Sequence, residues 1–289
     1  MATAVLSLEE IIQKTSDLPT LPAAALAVMH EAALSTSTAS SVANHIAQDH
    51  ALTARVLRLA NSAYYGLSRQ VDDLQEAVVV LGMRSVRNLA IVASTYPWLS
   101  VALKGYGLGP KMMWTHSFAV AVAAQLLARK SGKADEDVAF TAGLLHNLGK
   151  LAMSIWLEKR LSAMLQYAMR ENLTFDEVER KLFGYDHADV GAYLGEHWNL
   201  PNSLVLPMRF HHQPNNCLPN DAVVDCVHVG DYFTMSLGFG LGADGLRYEF
   251  HEEALARLGI SEEDTDHLLD AFTVQYEEYE KMFDSLSAD

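Results

Sequence analysis

The chain has 289 residues, of which 50% are apolar and 20% are charged, a composition ordinary for a globular protein. Its net charge of −15 is concentrated in residues 249–289, where thirteen acidic side chains face only Arg257 and Lys281. Such a surface repels phosphate backbones, which argues against nucleic acid as a partner. The longest weakly polar run, at 117–128, is far shorter than the ~20 residues that a membrane span needs.

The amino terminus and the cysteines both indicate an intracellular protein. The chain starts MATAVLSLEE, with no basic residue before it turns acidic, so no secretory signal is expected. Cys217 and Cys226 are the only cysteines. Without a cysteine framework or an export signal, two reduced thiols in the cytoplasm are the expected state.

Nearly every segment has the periodicity of a helix. Val42 and Ile46 recur at helical spacing, and Asp49 is placed to cap the next helix, which ends near Asn61. The valines at 78–80 are the only strand-like stretch, and their helical neighbours predict a helix there as well. Later helices are predicted near 112–130, 136–157, 160–171, 175–182, 187–198, 203–212, 221–237 and 264–284. The sequence therefore predicts an all-α protein.

A set of polar residues recurs at the starts or on the apolar faces of the later helices. Taken singly, each histidine is more typical of a hydrogen-bonded core residue than of a metal ligand. Taken together, imidazole nitrogens and carboxylate oxygens from several helices suit Zn, Mn, Fe or Ni. The candidate ligands are His116, His146 with the adjacent Asn147, His187, the pair His211 and His212, and Asp231.

The order and spacing of these residues resemble the metal-site signature of the HD superfamily of phosphohydrolases. The resemblance is nearest to the HD-GYP cyclic-dinucleotide phosphodiesterases, in which Lys150 has a counterpart. In those enzymes the Asp of a His-Asp pair bridges two metals, and a hydroxide between the metals attacks phosphorus. Here Asn147 stands in that position. Because an amide is neutral and has a single acceptor oxygen, we expect the second metal to be lost or weakly held.

The amino-terminal half resembles the HDOD family, the HD-related output domain, in four ordered motifs. His50 departs from the family pattern, which usually has a proline there. The resemblance implies an HD-like fold, with an amino-terminal helical bundle packed on an HD-like core, that generally lacks a complete catalytic metal site and acts as a regulatory output of bacterial signalling. The motifs fall on Leu18–Pro22, Ile46–Thr53, Leu57–Ser62 and Ala77–Gly82.

The resemblance also suggests domain boundaries. We expect an HDOD domain over 8–216, divided at the Gly- and Pro-rich segment 105–110 into an amino-terminal bundle (8–105) and HD-like helices (110–216). Residues 217–289 are expected to form an acidic, helical extension.

The sequence favours a non-catalytic signalling module with a degenerate HD-type pocket. Two alternatives stay open. One is a residual metal-dependent phosphohydrolase acting on a nucleotide or cyclic dinucleotide, with Lys150 holding phosphate. The other is a sensor that binds one metal or a nucleotide without turnover. The expected cofactor is at most one divalent transition metal, Zn, Mn, Fe or Ni. The expected partners are other signalling proteins, and the acidic carboxy-terminal helices are the candidate surface for contacts between copies.

Overall fold

The computed structural model describes residues 10, 23–32, 38–239 and 242–283. Over these residues the predicted all-α fold is confirmed, and the only β contact is an isolated bridge between Leu103 and Leu108. None of the described helices combines the length and the apolarity that crossing a bilayer requires. The Leu-Pro motif at 18–22 lies outside the described residues.

The helices follow one another through short connections. In chain order they are α1 (Ala23–Ala32), α2 (Ala39–Ala47), α3 (His50–Ala60), α4 (Leu74–Leu81), α5 (Met83–Leu99), α6 (Met112–Ser131), α7 (Glu136–Leu145), α8 (Gly149–Leu157), α9 (Leu161–Glu171), α10 (Phe175–Phe183), α11 (His187–His197), α12 (Asn202–Phe210), α13 (Ala222–Ser236), α14 (Glu252–Leu258) and α15 (Glu262–Phe283).

The chain divides into two compact units. We call residues 98–261 the histidine unit, since they include every candidate ligand. The described residues of 20–97 and 262–289 form the other, which we call the motif unit because it carries the short sequence motifs. The predicted domain boundaries stay a prediction, because compactness alone does not define a domain.

In the motif unit, the short motifs act as helix caps. Asp49 accepts a hydrogen bond from the backbone N–H of Leu52 at 2.9 Å and so caps α3, as predicted. Asn61 ends α3, and its side chain joins the carbonyl of Leu57 and both backbone groups of Val71 at 2.7–2.9 Å. Gly82 separates α4 from α5 with a positive φ of 84°, a conformation that favours glycine.

Tyr64 and Tyr65 lie just beyond Asn61. Their ring centroids are 4.7 Å apart in an edge-to-face arrangement. The ring of Tyr64 also stacks on Tyr279 of α15 at 5.2 Å. The end of α3 is therefore fixed to α15 within the motif unit, although the two segments are far apart in sequence.

In the histidine unit, α6 lies at the centre, and residues of nearly its whole length are buried. It packs most extensively against α7 and α13. Glycines allow these helices to approach closely: a Cβ on Gly143 would lie 2.8 Å from the Cα of Ala121, and one on Gly230 would lie 3.2 Å from the backbone nitrogen of Ala124. Close packing of α6, α7 and α13 brings their polar side chains together.

The continuous helix predicted over 136–157 is wrong. The chain leaves α7 after Leu145, passes through a turn at 146–148 and begins α8 at Gly149. A Cβ on Gly149 would lie 1.9 Å from the carbonyl oxygen of His187, so the start of α8 rests directly on the backbone of α11. This tertiary contact, which local periodicity does not report, places His146 and Asn147 in a turn rather than on a helix.

Candidate metal centre

Three candidate ligands form a first buried triad. His116 comes from α6, His146 from the turn after α7, and Asp231 from α13. One carboxylate oxygen of Asp231 lies 3.2 Å from Nε2 of His116, and the other lies 3.9 Å from Nε2 of His146. One ligand atom from each residue lies within 4.8 Å of the others, and all three side chains are buried. The triad can offer two nitrogens and an oxygen to one cation.

The remaining histidines form a second triad. His187 is the first residue of α11, while His211 and His212 directly follow α12. The Nε2 atoms of His187 and His212 are 2.9 Å apart, and the three ligand atoms lie within 4.8 Å of one another. The ring of His211 lies 5.0 Å from that of His146 and 5.6 Å from that of His187. His211 therefore joins the two triads.

Asn147 contacts the first triad through its amide nitrogen. Nδ2 lies 2.6 Å from Nε2 of His146. Because Nδ1 of His146 contacts the carbonyl of Gly143 at 2.6 Å and donates to it, Nε2 carries a lone pair and accepts from the amide. The oxygen Oδ1 of Asn147 is buried and has no hydrogen-bond partner among the described residues. The amide of Asn147 is thus hydrogen-bonded to the nitrogen of His146 that a metal would use.

A similar bond fixes the tautomer of His211. Its Nδ1 contacts the carbonyl of Met208 at 2.9 Å and donates to it, so the lone pair is on Nε2. That nitrogen is buried and has no hydrogen-bond partner in the part of the chain that the structure describes. A buried polar atom without a partner is costly, and coordination of a cation would satisfy it. Together with the nitrogen and oxygen donors of the triads, this atom fits a divalent transition metal.

His187 is held by a carboxylate that the sequence analysis did not identify. Oε2 of Glu179 lies 2.7 Å from Nδ1 of His187 and 2.9 Å from its backbone nitrogen. The hydroxyl of Tyr106 donates to the other oxygen of Glu179 at 2.5 Å. Metal-binding histidines commonly share their second nitrogen with a carboxylate in this way. The only signal in the sequence is that Glu179 falls on the apolar face of α10 beside Val178.

Two further residues of the site also went unpredicted. Nδ1 of His228 contacts the carbonyl of His211 at 2.7 Å and donates to it, which holds the backbone of the second triad. The hydroxyl of Tyr248 donates to Asp231 at 2.8 Å. His228 precedes Asp231 by three residues on α13, and this helical spacing was the available signal.

Burial and neighbouring polar groups shift the pKa values of the candidate ligands. Burial lowers the pKa of His146, His187 and His211 well below the usual value for histidine. Burial alone would raise the pKa of Asp231, but the hydrogen bond with His116 and the neighbouring histidines hold that pKa well below its usual range. Neutral imidazoles beside an ionised carboxylate are the forms that metal binding requires.

Burial shifts the pKa values of His187 and Glu179 in opposite directions, each toward its uncharged form. Burial lowers the pKa of the imidazole, and the charge of Lys150 lowers it further. Burial also raises the pKa of Glu179 well above its usual value, against the opposing hydrogen bond from Tyr106. Lys150 is itself buried, with its ammonium 5.6 Å from the centre of the Tyr106 ring. The Tyr106 ring in turn lies 6.0 Å from that of His187, which places Lys150 near the second triad. Its role in holding phosphate stays a prediction.

Solved structures of other proteins share this architecture. An HDOD domain protein of unknown function from Geobacter sulfurreducens is 24% identical, covers 92% of this chain and 96% of its own, and has a TM-score of 0.68. A candidate phosphohydrolase from Shewanella amazonensis SB2B is 25% identical, with coverages of 96% and 97% and a TM-score of 0.65. A candidate signal transduction protein from Marinobacter aquaeolei VT8 is 23% identical, with coverages of 96% and 61% and a TM-score of 0.77.

Sequence comparison leads to the same family. An uncharacterized protein of Treponema pallidum (strain Nichols) is 28% identical over 205 residues, which are 70% of this chain. The match spans only 39% of that curated relative's length. A sequence model of the HDOD domain matches residues 18–214, which include both histidine triads except for Asp231. The chain belongs to the HDOD family.

Proposed function

We propose that this protein is a regulatory output module of bacterial signalling, acting on other signalling proteins, in which an HD-type pocket is kept without its hydrolytic chemistry. The observation that carries the proposal is the state of Asn147. Its amide nitrogen donates to Nε2 of His146 at 2.6 Å, and its buried oxygen has no hydrogen-bond partner within the described ranges. A carboxylate at that position would instead offer two oxygens and a negative charge.

The missing charge matters because two cations a few ångströms apart repel each other strongly at a buried site. A bridging carboxylate offsets that repulsion, and an amide with one acceptor oxygen does not. Two-metal hydrolysis depends on both cations to stabilise the attacking and leaving oxygens. We therefore expect the pocket to hold at most one ion.

The residues that would hold a single ion are those whose nitrogens face inward. In the second triad these are His187, His211 and His212, with Glu179 fixing the ring of His187. In the first triad they are His116 and His146, with Asp231 supplying the charge. A bound divalent metal would supply Lewis acidity and would lower the pKa of a bound water. The protein's own groups exclude bulk water and hold the imidazoles neutral.

Metal analysis of wild type beside Asn147→Asp tests the proposal. The protein is purified without an affinity tag and dialysed against Zn, Mn, Fe or Ni. We expect wild type to bind no more than one equivalent, and the variant to gain affinity for a second because the new carboxylate can bridge. Two equivalents in wild type at the affinity of the variant would contradict the proposal.

A residual metal-dependent phosphohydrolase is the second candidate. It is favoured by the inward-facing histidines and the buried Lys150, and by the likeness to the candidate phosphohydrolase of Shewanella amazonensis. Hydrolysis assays on nucleotides and cyclic dinucleotides with Mn, Fe, Ni or Mg distinguish the two candidate functions. The regulatory proposal expects no turnover above a metal-free control. Turnover that disappears in the double variant His116→Ala, His146→Ala would establish the second candidate instead.

A further inference from the structure

A small cavity opens on the surface of the histidine unit beside the second triad. Its volume is about 130 Å³, and it lies between α10, the start of α11 and the segment that follows α12. His212 forms part of its lining, and Nε2 of His212 lies 2.9 Å from Nε2 of His187. His212 therefore lies between this surface cavity and the buried histidine His187.

Two guanidinium groups line this cavity. Its lining contains Arg180 and Arg209 and one carboxylate, Asp189. That carboxylate already accepts from Arg180 at 3.1 Å and from the backbone nitrogen of Asp186 at 3.3 Å. Arg180 thus offsets the charge of Asp189 within the lining, and Arg209 is the second guanidinium there.

Arg209 keeps donors for another anion. Arg180, in contrast, pairs through its two terminal nitrogens with Asp186 at 2.7 Å and with Asp189 at 3.1 Å. Arg209 pairs with Glu196 at 2.7 Å, and 54% of the Glu196 side chain is exposed. Exposed ion pairs contribute little stability. An incoming anion can therefore compete for Arg209 at low cost, and a guanidinium has five N–H donors to share.

Neutral donors complete the lining. The amide nitrogen of Asn216 donates to Oε1 of Gln213 at 2.6 Å. This bond orients Gln213 so that its own amide hydrogens remain for another acceptor. Guanidinium and amide donors line one small space here. A phosphate has several acceptor oxygens, and a planar guanidinium can bind two of them with parallel hydrogen bonds.

We infer that this cavity binds a phosphate group, either free or as the terminal group of a small phosphorylated molecule. At about 130 Å³, it is well below the roughly 300 Å³ of the smallest pockets that enclose a whole drug-sized ligand, so the rest of such a molecule would lie outside. The inference goes beyond the proposed function, because the donors are arginine and amide groups rather than a metal.

Isothermal titration of the full chain with inorganic phosphate tests the inference. Wild type is compared with Arg209→Gln, both as purified and after chelator treatment. The matched control is Arg129→Gln, which removes another arginine from a surface ion pair of the same unit, with Glu136 at 2.9 Å. We expect saturable binding in both preparations, weakened at least about tenfold in Arg209→Gln and unchanged in Arg129→Gln.

The inference would be overturned by no saturable binding by wild type, by equal affinity in Arg209→Gln, or by equal weakening in Arg129→Gln. Binding that disappears with chelation would also overturn it, since the phosphate would then be held by a metal alone.

Titration with a nucleoside monophosphate and with its nucleoside identifies the source of the phosphate group. Tighter binding of the monophosphate than of phosphate, with none for the nucleoside, indicates a carried phosphate, and equal affinities indicate the free ion. Because phosphate binding is measured without metal, failure of the metal proposal would leave this result intact.

Discussion

The two units of the molecule bury different kinds of side chain. In the described part of the motif unit, Arg87 is the only ionisable residue that is buried, and the buried surface is otherwise mostly aliphatic. The histidine unit is built from helices of the same kind but encloses many ionisable groups: His116, Asp137, His146, Lys150, Asp176, Glu179, Asp186, His187, His211, Asp225, His228 and Asp231.

The contrast distinguishes the buried side chains that a helical fold needs for stability from those that this protein keeps for another reason. Burying a polar group costs free energy unless every partner is supplied. The described part of the motif unit buries far fewer ionisable groups, although Oγ of Ser62 is buried there without a hydrogen-bond partner among the described residues. In the histidine unit the buried atoms without such a partner include Nε2 of His211 and Oδ1 of Asn147, which lie in and beside the triads. Its polar interior is therefore better explained by a ligand than by stability.

The largest expected effect is on the backbone contact that assembles the histidine unit. In Gly149→Ala the new Cβ would overlap the carbonyl of His187, 1.9 Å away, so we expect a loss of about 3 kcal/mol or more in the free energy of unfolding. In Gly66→Ala of the motif unit, nothing lies within 4 Å and only the positive φ of 54° opposes the side chain. We expect about 1–2 kcal/mol there. Urea denaturation measures both, and equal losses would refute the packing argument.

Asn61→Ala tests whether the motif unit contributes to stability without affecting metal binding. The variant loses the bonds from Asn61 to Leu57 and Val71, and we expect the free energy of unfolding to fall by about 2 kcal/mol. Metal content and metal affinity should stay at the wild-type values. A loss of metal at a temperature where the variant remains folded would show that the two units are not separable in this way.

Tyr106→Phe is expected to have the smallest effect on stability and a distinct effect on metal affinity. It removes the hydroxyl that donates to Glu179, which should cost about 1 kcal/mol. Because Glu179 orients His187, we also expect metal affinity to fall by about tenfold. Tyr64→Phe is the control, since its hydroxyl pairs with that of Tyr279 in the motif unit. If both variants weaken metal binding equally, the Glu179 network has no special role.

Features that depend on neighbours in sequence could be predicted, and those that depend on distant contacts could not. The cap at Asp49 and the end of α3 at Asn61 are local, and both were predicted correctly. The turn at 146–148 was missed because it is imposed by the backbone of α11. The bond between Tyr106 and Glu179 joins residues 73 positions apart, and that from Tyr248 to Asp231 spans 17. Neither pair has a periodic signal.

The candidate ligands fall between these cases. Their residue types and order in the chain were readable, and the structure brings them together in two triads with Asn147 against one of them. Their role as ligands stays a prediction. What the sequence did not contain was the division into two triads, since this depends on how α6, α11 and α13 cross.

The partial exposure of His212 has a kinetic consequence. It is the one member of the two triads that is not fully buried, so an ion bound inside would exchange with solvent only as fast as this side chain and its surroundings open. Such local openings are slow compared with diffusion. Occupancy would then reflect the metal supply averaged over the time between openings rather than its momentary concentration. A module built in this way would respond to sustained changes and ignore brief ones.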